Sequence, residues 1–335
     1  MKAAKFPKVL ITAGDPHGIG PEVVLKGVHA KYYPNCLVVA SKKVFVYYQK
    51  KLSLPCPIQY IKSIESIPDS FNPKALNVLD LAYDPPIHPG LLSQKAGDLT
   101  LRSLDTAIDM IRQGLSQVLI TAPVNKEAVI LCNPSFKGHT EYLAEAFNTP
   151  NVTMLMASET IKVALVTTHI SLQKVSENLD EEQILRTIIN SWQFLMDSGV
   201  KEGHIAVAAL NPHAGEGGHF GNEEVLIQKA VIKAQRMGMS VTGPFPADTL
   251  FCEAQKKTYD LFVAMYHDQG LIPFKLLSFG KGLNLTLGLP FKRISVDHGT
   301  AFDIAGQGLA NPESMTEALD LAFQINKEMK DSYYS

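Results

Sequence analysis

The chain has 335 residues, of which 46% are hydrophobic and 19% are charged, and its formal net charge is -2 at pH 7. These values describe a globular protein long enough for two domains, and they exclude disordered and fibrous classes. Because the net charge is close to zero and no stretch reaches the length of a membrane-spanning helix, neither nucleic acid nor membrane is expected as a partner.

The cysteines and the N-terminus indicate a cytoplasmic protein. The four cysteines include no C-x-x-C pair, and they are Cys36, Cys56, Cys132 and Cys252. Scattered thiols of this kind are typical of a reducing compartment and argue against a structural zinc ribbon. The first apolar run, Val9–Ile11, is far too short for a signal peptide.

The first predicted strand, Lys8–Thr12, leads into a glycine-rich turn and then a helix. The segment AGDPHGIGPE carries Pro21, which suits the first turn of a helix that we expect to end near Tyr33. Backbone N–H groups at such a turn can hold an anion. The chain has no G-x-G-x-x-G or G-x-x-x-x-G-K-S/T fingerprint, so a nucleotide would bind by another route.

Strands and helices then alternate. The next predicted elements are a strand at Leu37–Ala40, a helix through Tyr48, a helix at Leu99–Gly114 and a strand at Val118–Ala122. Such alternation is typical of a mainly parallel sheet with helices on both faces. Later elements are a hairpin of Val152–Met156 with Ile161–Thr167, and helices at Asp180–Asp197, Asn222–Met237 and Ser314–Met329.

Three short apolar runs each lead into a histidine. The runs VALVTTH, IAVAALNPH and LFVAMYH end at His169, His213 and His267. Open α/β sheets bind ligands at the carboxyl ends of their strands, and three histidines there meet the requirement of a divalent-metal site. A single histidine at a strand end would more often be a structural residue. The threefold repetition favours the metal site, whereas His219 follows no strand and is assigned to a loop.

The stretch Tyr266–Lys275 follows the third of these strands. Gly270 and Pro273 are expected to break the strand. Asp268 is placed to orient the preceding histidine, and Lys275 adds a positive charge.

Two further segments offer groups for an anionic ligand. GHTEYLAEAF places His139 and Thr140 at the start of a helix, where N–H groups suit phosphate or carboxylate, although a plain Thr cap explains the pattern equally well. In LNLTLGL, Asn284 alternates with apolar residues and can line a cleft, and Arg293 follows. GPFPADTLF predicts a turn and then a helix that starts at Asp248.

Eight motifs together resemble the 4-hydroxythreonine-4-phosphate dehydrogenase family of pyridoxal phosphate biosynthesis. In chain order they are GDPHGIGPE, KEA, GHTEYLA, TTHISL, LNPHAGEGGHFGNEE, GPFPADTLF, MYHDQGLIPFK and TLGLPFKRISVDHGTAFDIAG. They run from Gly14 to about Pro312 when the residues after the last motif are included. The segment HGTAFDIAGQGLANP also resembles the nucleotide-binding segment of isopropylmalate dehydrogenases.

The resemblance implies an α/β fold of the isocitrate/isopropylmalate dehydrogenase-like type. This fold has two α/β domains with a cleft between them, and it binds NAD without a Rossmann fingerprint. The first domain, on the nucleotide side, would comprise about 1–128 and about 275–335. The second, on the metal and dimer side, would comprise about 129–274.

The resemblance also implies roles for individual residues. One divalent metal (zinc, magnesium or cobalt) would be bound by His169, His213 and His267, in a site completed across a homodimer interface. The implied substrate-binding residues are His139, Thr140, Lys275, Asn284 and Arg293, and the implied cofactor-binding residues are Gly299, Thr300 and Asp303. The base that takes the hydroxyl proton is not assigned. Asp248 and Asp268 are candidates, and either can instead orient a metal-binding histidine.

The implied reaction is NAD-dependent oxidation of 4-phosphooxy-threonine to a β-keto acid, which decarboxylates to 3-amino-2-oxopropyl phosphate. A metal on the substrate hydroxyl favours loss of its proton, and Lys275 and Arg293 would hold phosphate or carboxylate. Relatives with these motifs act on other substrates, such as threonate or erythronate 4-phosphate. A metal-dependent hydrolase or lyase would also use three histidines and basic residues, but it would not need the HGTAFDIAG segment.

Asp303 is predicted to select NAD over NADP. In the similar segment of isopropylmalate dehydrogenases this carboxylate meets the adenosine ribose, where it accepts hydrogen bonds from hydroxyls and repels a 2′-phosphate. No Arg or Lys lies between Gly299 and Asn311 to offset that repulsion. The alternative is that Asp303 only caps the turn before Ile304.

Overall fold

The structure is a computed structural model that describes residues 7–278 and 282–333. In chain order the strands are β1 (Val9–Thr12), β2 (Cys36–Ala40), β3 (Ile58–Ile61), β4 (Leu76–Asp80), β5 (Val118–Thr121), β6 (Thr153–Ala157), β7 (Lys162–Leu165), β8 (Ile205–Ala208), β9 (Val241–Phe245), β10 (Leu261–Ala264), β11 (Leu283–Leu287) and β12 (Lys292–Val296). The helices are α1 (Gly20–Gly27), α2 (Lys42–Leu52), α3 (Gln94–Arg112), α4 (Lys126–Ile130), α5 (His139–Ala146), α6 (Val175–Asn178), α7 (Glu181–Asp197), α8 (Glu224–Arg236), α9 (Ala247–Leu250), α10 (His267–Ser278) and α11 (Glu313–Tyr333).

The chain divides into two compact units. Unit 1 runs to Pro150 and resumes at Leu289–Lys327, and unit 2 comprises Asn151–Gly288 and the end of the chain from Glu328. The domain limits expected from the sequence, near 128 and 275, both lie earlier in the chain than the limits between the two units, which follow Pro150 and Gly288. The second of them would fall inside α10, and the first would separate α5 from the unit with which it packs.

Unit 1 contains a fully parallel sheet with the strand order β3-β4-β2-β1-β5-β12. Every residue of β1, β2 and β5 is buried, as expected for parallel strands that are covered on both faces. β12 pairs with β5 so that Lys292 lies opposite Val118 and Ser295 lies opposite Thr121. The strand β12, from the C-terminal part of the chain, thus lies beside β5, from the N-terminal part.

Unit 2 contains a mixed sheet with the order β11-β6-β7-β10-β8-β9. β6 pairs antiparallel with both β7 and β11, and the other pairs are parallel. The predicted hairpin of β6 and β7 is therefore confirmed. Phe262 of β10 and Leu271 and Phe274 of α10 belong to one buried apolar cluster, which fixes the helix against the sheet.

The strand β10 ends before Gly270 and Pro273, as predicted, and the segment that follows it is a helix that the sequence analysis did not predict. α10 begins at His267 and passes through both Gly270 and Pro273. Gly270 packs so closely that an added Cβ would lie 2.8 Å from side-chain atoms of Val163 and of Leu165. The glycine therefore permits close helix–sheet contact.

Two other boundaries also differ. α1 ends at Gly27 instead of near Tyr33, and a 3-10 helix at Ala30–Asn35 follows it. The predicted turn at Gly243 and Pro244 is part of β9, which is the edge strand of its sheet. Proline is tolerated on an edge strand because it interrupts no ladder on the open side. None of the helices in the described ranges combines the length and apolar character needed to cross a membrane.

Candidate functional site

A buried arginine in unit 1 forms the centre of a cationic cluster. Arg293 of β12 is 4% exposed, and its Nε and Nη2 donate to Oγ1 of Thr121 on β5 at 3.3 and 2.9 Å. Burial lowers the pKa of the guanidinium to about 10, and the nearby Glu141 acts in the opposite direction. The arginine therefore keeps its charge at neutral pH. A buried positive charge of this kind favours an anionic ligand.

His139 and Thr140 begin α5 in the same cluster. The N-cap of this helix is Gly138, which offers no side chain, so Thr140 is not the N-cap. Nε2 of His139 is buried and has no hydrogen-bond partner among the described residues. Burial, followed by the charges of Arg293 and Lys126, lowers the pKa of His139 well below its usual value. A neutral imidazole beside helix N–H groups can donate to phosphate or carboxylate.

Lys126 joins this cluster, although sequence analysis assigned it no role. It is the first residue of α4 and follows Asn125, whose side chain caps the helix by accepting a hydrogen bond from N of Ala128 at 2.9 Å. A Cβ placed on Gly138 would lie 3.5 Å from Cε and Nζ of Lys126. The signal in the sequence was its position in the KEA motif. We call Thr121, Lys126, His139, Thr140 and Arg293 the Arg293 cluster.

The other two predicted substrate-binding residues lie in unit 2. Lys275 is exposed on α10, about two turns after His267. Asn284 is half-buried on β11, where it pairs with Met156 of β6. The five predicted residues are thus divided between the two units, three in unit 1 and two in unit 2.

The strands that lead to the three histidines lie side by side in unit 2. β7, β10 and β8 are neighbours and run parallel, so their carboxyl ends meet at one edge of the sheet. His169 and His213 lie in the segments after β7 and β8, and His267 starts α10. The strand arrangement that the histidine pattern requires is therefore present.

Hydrogen bonds at this edge hold the strand ends together. Oγ1 of Thr167 donates to O of Met265 at 2.7 Å, which ties the end of β7 to that of β10. Oε1 of Gln269 accepts from N of Met265, and its Nε2 donates to O of Ala209, both at 2.7 Å. Gln269 thus joins the ends of β10 and β8. The sequence did not indicate this role.

His169 and His267 face each other, with ring centroids 5.9 Å apart. Nδ1 of His267 lies 2.7 Å from Oδ1 of Asp268. In a neutral ring that contact uses the Nδ1 proton and leaves Nε2 available to a metal. Two imidazoles, one of them oriented by a carboxylate, are a donor set that suits zinc or cobalt.

The third predicted histidine, His213, does not converge with His169 and His267 in the part of the chain that the structure describes. In ranges 7–278 and 282–333, no three His, Cys, Asp or Glu side chains converge as metal ligands. The ring of His213 instead lies beside Phe220, with centroids 6.3 Å apart. Zinc sites use at least three protein ligands. A site built on His169 and His267 therefore needs a ligand from beyond their immediate surroundings, as the expected sharing across a dimer would provide.

His213 begins a left-handed turn. Residues 213–217 all have positive φ, and the three that are not glycine are His213, Ala214 and Glu216, with φ of 54°, 54° and 44°. Each such residue costs roughly 1–2 kcal/mol. Asn211 anchors the turn, since its N donates to Oε1 of Glu224 at 2.8 Å. Backbone strain of this kind is concentrated at functional sites.

The two candidate bases differ in their surroundings. The carboxylate of Asp268 contacts His267, which favours an orienting role. Asp248 is the second residue of α9 and is exposed, and its Oδ1 accepts a hydrogen bond from N of Thr249 at 3.0 Å. Both assignments stay predictions.

The predicted nucleotide segment lies against the glycine-rich turn before α1. N of Ile19 donates to O of Thr300 at 3.0 Å. A Cβ placed on Gly18 would lie 3.0 Å from Cβ of Thr300, so the glycine permits this close approach. Residues 298–306 are therefore held beside a turn whose N–H groups can face an anion.

Gly299 and Asp303 are exposed on this segment. Within the part of the chain that the structure describes, no hydrogen bond reaches the carboxylate of Asp303, whereas its backbone O accepts one from Nε2 of Gln307 at 2.6 Å. The capping alternative for Asp303 thus receives no support. Ala301 has a φ of 41°, which a non-glycine residue adopts only at a cost.

The chain belongs to a family with known members. Residues 32–322 match the family described as "Pyridoxal phosphate biosynthetic protein PdxA", and the chain belongs to this family. It is similar to a crystal structure of 4-hydroxythreonine-4-phosphate dehydrogenase from Klebsiella pneumoniae, with a TM-score of 0.85, 40% identity, and coverage of 96% of this chain and 99% of that chain. The fold class that the motifs predicted is therefore confirmed.

Relatives of this chain carry two different names. The D-threonate 4-phosphate dehydrogenase of Salmonella typhimurium strain LT2 is 40% identical over 321 residues, which cover 95% of this chain and 98% of that protein. The 4-hydroxythreonine-4-phosphate dehydrogenase of Beijerinckia indica is also 40% identical, over 320 residues that cover 94% of each. Because the identity is 40% in both cases, it does not indicate which of the two named activities this chain shares.

Proposed function

We propose that the protein is an NAD- and divalent-metal-dependent dehydrogenase of a four-carbon hydroxy acid that carries a phosphate at C4. The lead substrate is 4-phosphooxy-threonine, whose C3 hydroxyl is oxidised to give a β-keto acid that loses CO2 to form 3-amino-2-oxopropyl phosphate. The observation that carries this proposal is the 40% identity, over nearly the whole chain, with dehydrogenases named for such substrates.

The Arg293 cluster supports an anionic substrate. Arg293 offers several N–H donors in a plane, which suits the paired oxygens of phosphate or carboxylate. His139 is neutral at physiological pH because its pKa is depressed, so it donates one hydrogen bond without adding charge. Lys275 and Asn284 are the other two residues proposed to bind the substrate.

The histidine edge of unit 2 supports a bound metal. When bound, a divalent ion there supplies a Lewis acid for the oxygen at C3 of the substrate. His169, His267 and His213 would hold this ion, and Asp268 would orient the ring of His267. Asp248 is the remaining candidate for the group that accepts the hydroxyl proton.

We propose that a second copy of the chain supplies one of the three histidines, so that the protein is a homodimer, and that it is located in the cytoplasm. Exposed apolar side chains lie on the same stretches of chain as His169, His213 and His267, and they are Ile170, Leu172, Phe220, Ile272 and Leu276. Leu172 and Leu276 are each at least 70% exposed. Apolar residues exposed in this number beside a site are typical of a protein interface.

A panel of phosphorylated hydroxy acids tests the function. The wild-type protein should reduce NAD with 4-phosphooxy-threonine, and the reaction should release CO2. D-Threonate 4-phosphate is the second candidate, favoured by the Salmonella relative. If kcat/KM is higher for D-threonate 4-phosphate than for 4-phosphooxy-threonine, D-threonate 4-phosphate becomes the proposed substrate. A hydrolase or lyase would instead release phosphate or an alkene product with no NADH, and that result would contradict the proposal.

The specificity for NAD should depend on Asp303. The wild type should favour NAD over NADP by at least about tenfold, or about 1.4 kcal/mol, because the carboxylate repels a 2′-phosphate. Asp303→Ala should lose much of this preference, chiefly through weaker NAD binding, in a comparison of KM values for both cofactors.

Lys51 provides the control for this experiment. A Cβ placed on Gly306 would lie 3.3 Å from Cε of Lys51, so this lysine of α2 is a basic group close to the segment. Lys51→Met removes this nearby charge but keeps the Asp303 carboxylate, so the preference for NAD over NADP should persist. Equal use of NADP by the wild type, or a full NAD preference in Asp303→Ala, would remove Asp303 from this role.

A further inference from the structure

Glu22 of α1 is a fully buried carboxylate outside the clusters described above. It is 0% exposed, and its Oε1 lies 2.6 Å from Nζ of Lys26, one helical turn away. The same oxygen accepts a hydrogen bond from N of Ala310 at 3.0 Å. Exposed pairs at this spacing contribute little to stability, whereas burying a carboxylate is costly unless it is paired and hydrogen-bonded. The contact with Ala310 therefore distinguishes this pair from an ordinary helix-surface pair.

Lys26 extends the contact to the end of the predicted nucleotide segment. Its Nζ donates to O of Gly308 at 2.7 Å and to O of Ala310 at 3.2 Å. With Glu22, these two carbonyls account for all three donors of the ammonium group. The side chain of Leu309, between the two carbonyls, is 65% exposed. Polar contacts from α1 thus hold residues 308–310, together with the burial of Ala310, which is 3% exposed.

The other end of the segment is held by the same stretch of chain. Ile19, immediately before α1, donates its N–H to O of Thr300 at 3.0 Å. Residues 301–307, which include the exposed Asp303, therefore lie between two anchors on residues 19–26. A loop fixed at both ends loses less conformational entropy when a ligand orders it than a loop free at one end.

We propose that Glu22 and Lys26 are positioning residues for the dinucleotide. They act through the backbone at 308–310, which sets where Asp303 stands relative to the turn before α1, and neither residue needs to touch the cofactor. This inference rests on the proposed binding of NAD at residues 299–303. The inference explains why Glu22 and Lys26 form a buried ion pair, which the proposed roles of the substrate-binding and metal-binding residues do not explain.

Lys26→Met tests the inference directly. It should raise the Kd of NAD by about tenfold, equivalent to ~1.4 kcal/mol, and leave kcat at saturating NAD and the KM of the substrate near their wild-type values. Lys26→Arg keeps the charge and several donors, so it should restore most of the affinity. Lys31→Met is the matched control, because Lys31 pairs with Asp320 in the same unit and, among the described residues, donates no hydrogen bond to residues 299–310.

Amide hydrogen exchange separates this inference from the proposed function. Residues 299–310 should exchange faster in Lys26→Met than in Lys31→Met, even without NAD. If the wild type binds no dinucleotide, the proposed function is wrong. The exchange comparison would still show whether Lys26 holds residues 299–310 in place. Should Lys26→Met not fold, Glu22→Gln, which keeps an oxygen acceptor for Ala310, takes its place with the same readouts. Equal exchange and equal NAD affinity in the altered and control proteins would overturn the inference.

Discussion

Replacing Arg293 with methionine should weaken substrate binding by about 10- to 100-fold, because one charge-assisted hydrogen bond contributes roughly 1.5–3 kcal/mol. The guanidinium is buried and retains its charge because its pKa is about 10, so the substitution removes a buried positive charge. Binding of NAD should be nearly unchanged. Steady-state kinetics with each ligand varied in turn, together with direct titration of substrate, measures both effects.

Two controls sharpen this experiment. Arg102→Met removes an exposed arginine of unit 1 that pairs with Asp98, and it should leave both KM values unchanged. The pKa of His139 should rise in Arg293→Met, since the charge of Arg293 helps to depress it, and NMR titration can detect that change without substrate. An unaltered KM and kcat in Arg293→Met would refute its assignment to the substrate.

Loss of either facing histidine should nearly abolish turnover. Removing a residue that only orients a metal ligand typically costs 10–100-fold, so His169→Ala and His267→Ala should each cost more than about 100-fold. His213→Ala should match them, whereas His219→Ala, on the same loop as His213, should change little. Asp268→Ala should give an intermediate loss. Exhaustive chelation should abolish wild-type activity, and zinc, cobalt or magnesium should restore it; full activity in metal-free protein would contradict the metal site.

Mixtures of these inactive variants test whether two chains share the site. If one of the three histidines comes from the partner, two of the three pairwise mixtures must regain activity, and the mixture that fails identifies the two histidines from one chain. Random exchange makes half of the dimers mixed, each with one intact site of two, so recovery should approach about a quarter of wild type. The mixture of His169→Ala with His267→Ala is the first to test, because the ring centroids of His169 and His267 lie 5.9 Å apart. Failure of all three mixtures, or a fully active monomer in sedimentation, would exclude the shared site.

The strands that carry the histidines could be predicted because their signal is local. A buried parallel strand is a short continuous apolar run, and LFVAM, IAVAAL and VALVTT all have this form. The side-by-side order of β7, β10 and β8 follows from long-range pairing, which no local pattern encodes. β3 and β4 received no prediction, and β3 lies at the edge of its sheet with largely half-exposed residues that give a weak pattern.

The residues that the sequence did not assign act through contacts made far along the chain. Lys126 acquires its role only when α4 lies beside α5 and β12 brings Arg293 near. Lys26 pairs with Glu22 at a helical spacing that the sequence shows, but its bonds to Gly308 and Ala310 depend on the folded backbone. Pro273 predicts the end of the strand but gives no sign of the helix in which it lies, where the packing of Phe274 and Leu271 outweighs the lost hydrogen bond.

The pairing of β12 with β5 has a consequence during protein synthesis. Val118 leaves the ribosome long before its partner Lys292. While unit 2 is being synthesised, β5 is therefore an unpaired edge strand of the sheet of unit 1. Open edges pair readily with other chains, whereas most of unit 2 is one continuous stretch that can fold as it emerges. A product of premature termination before Lys292 would therefore present its histidine loops on a folded unit, lack Arg293, and be prone to aggregate through β5.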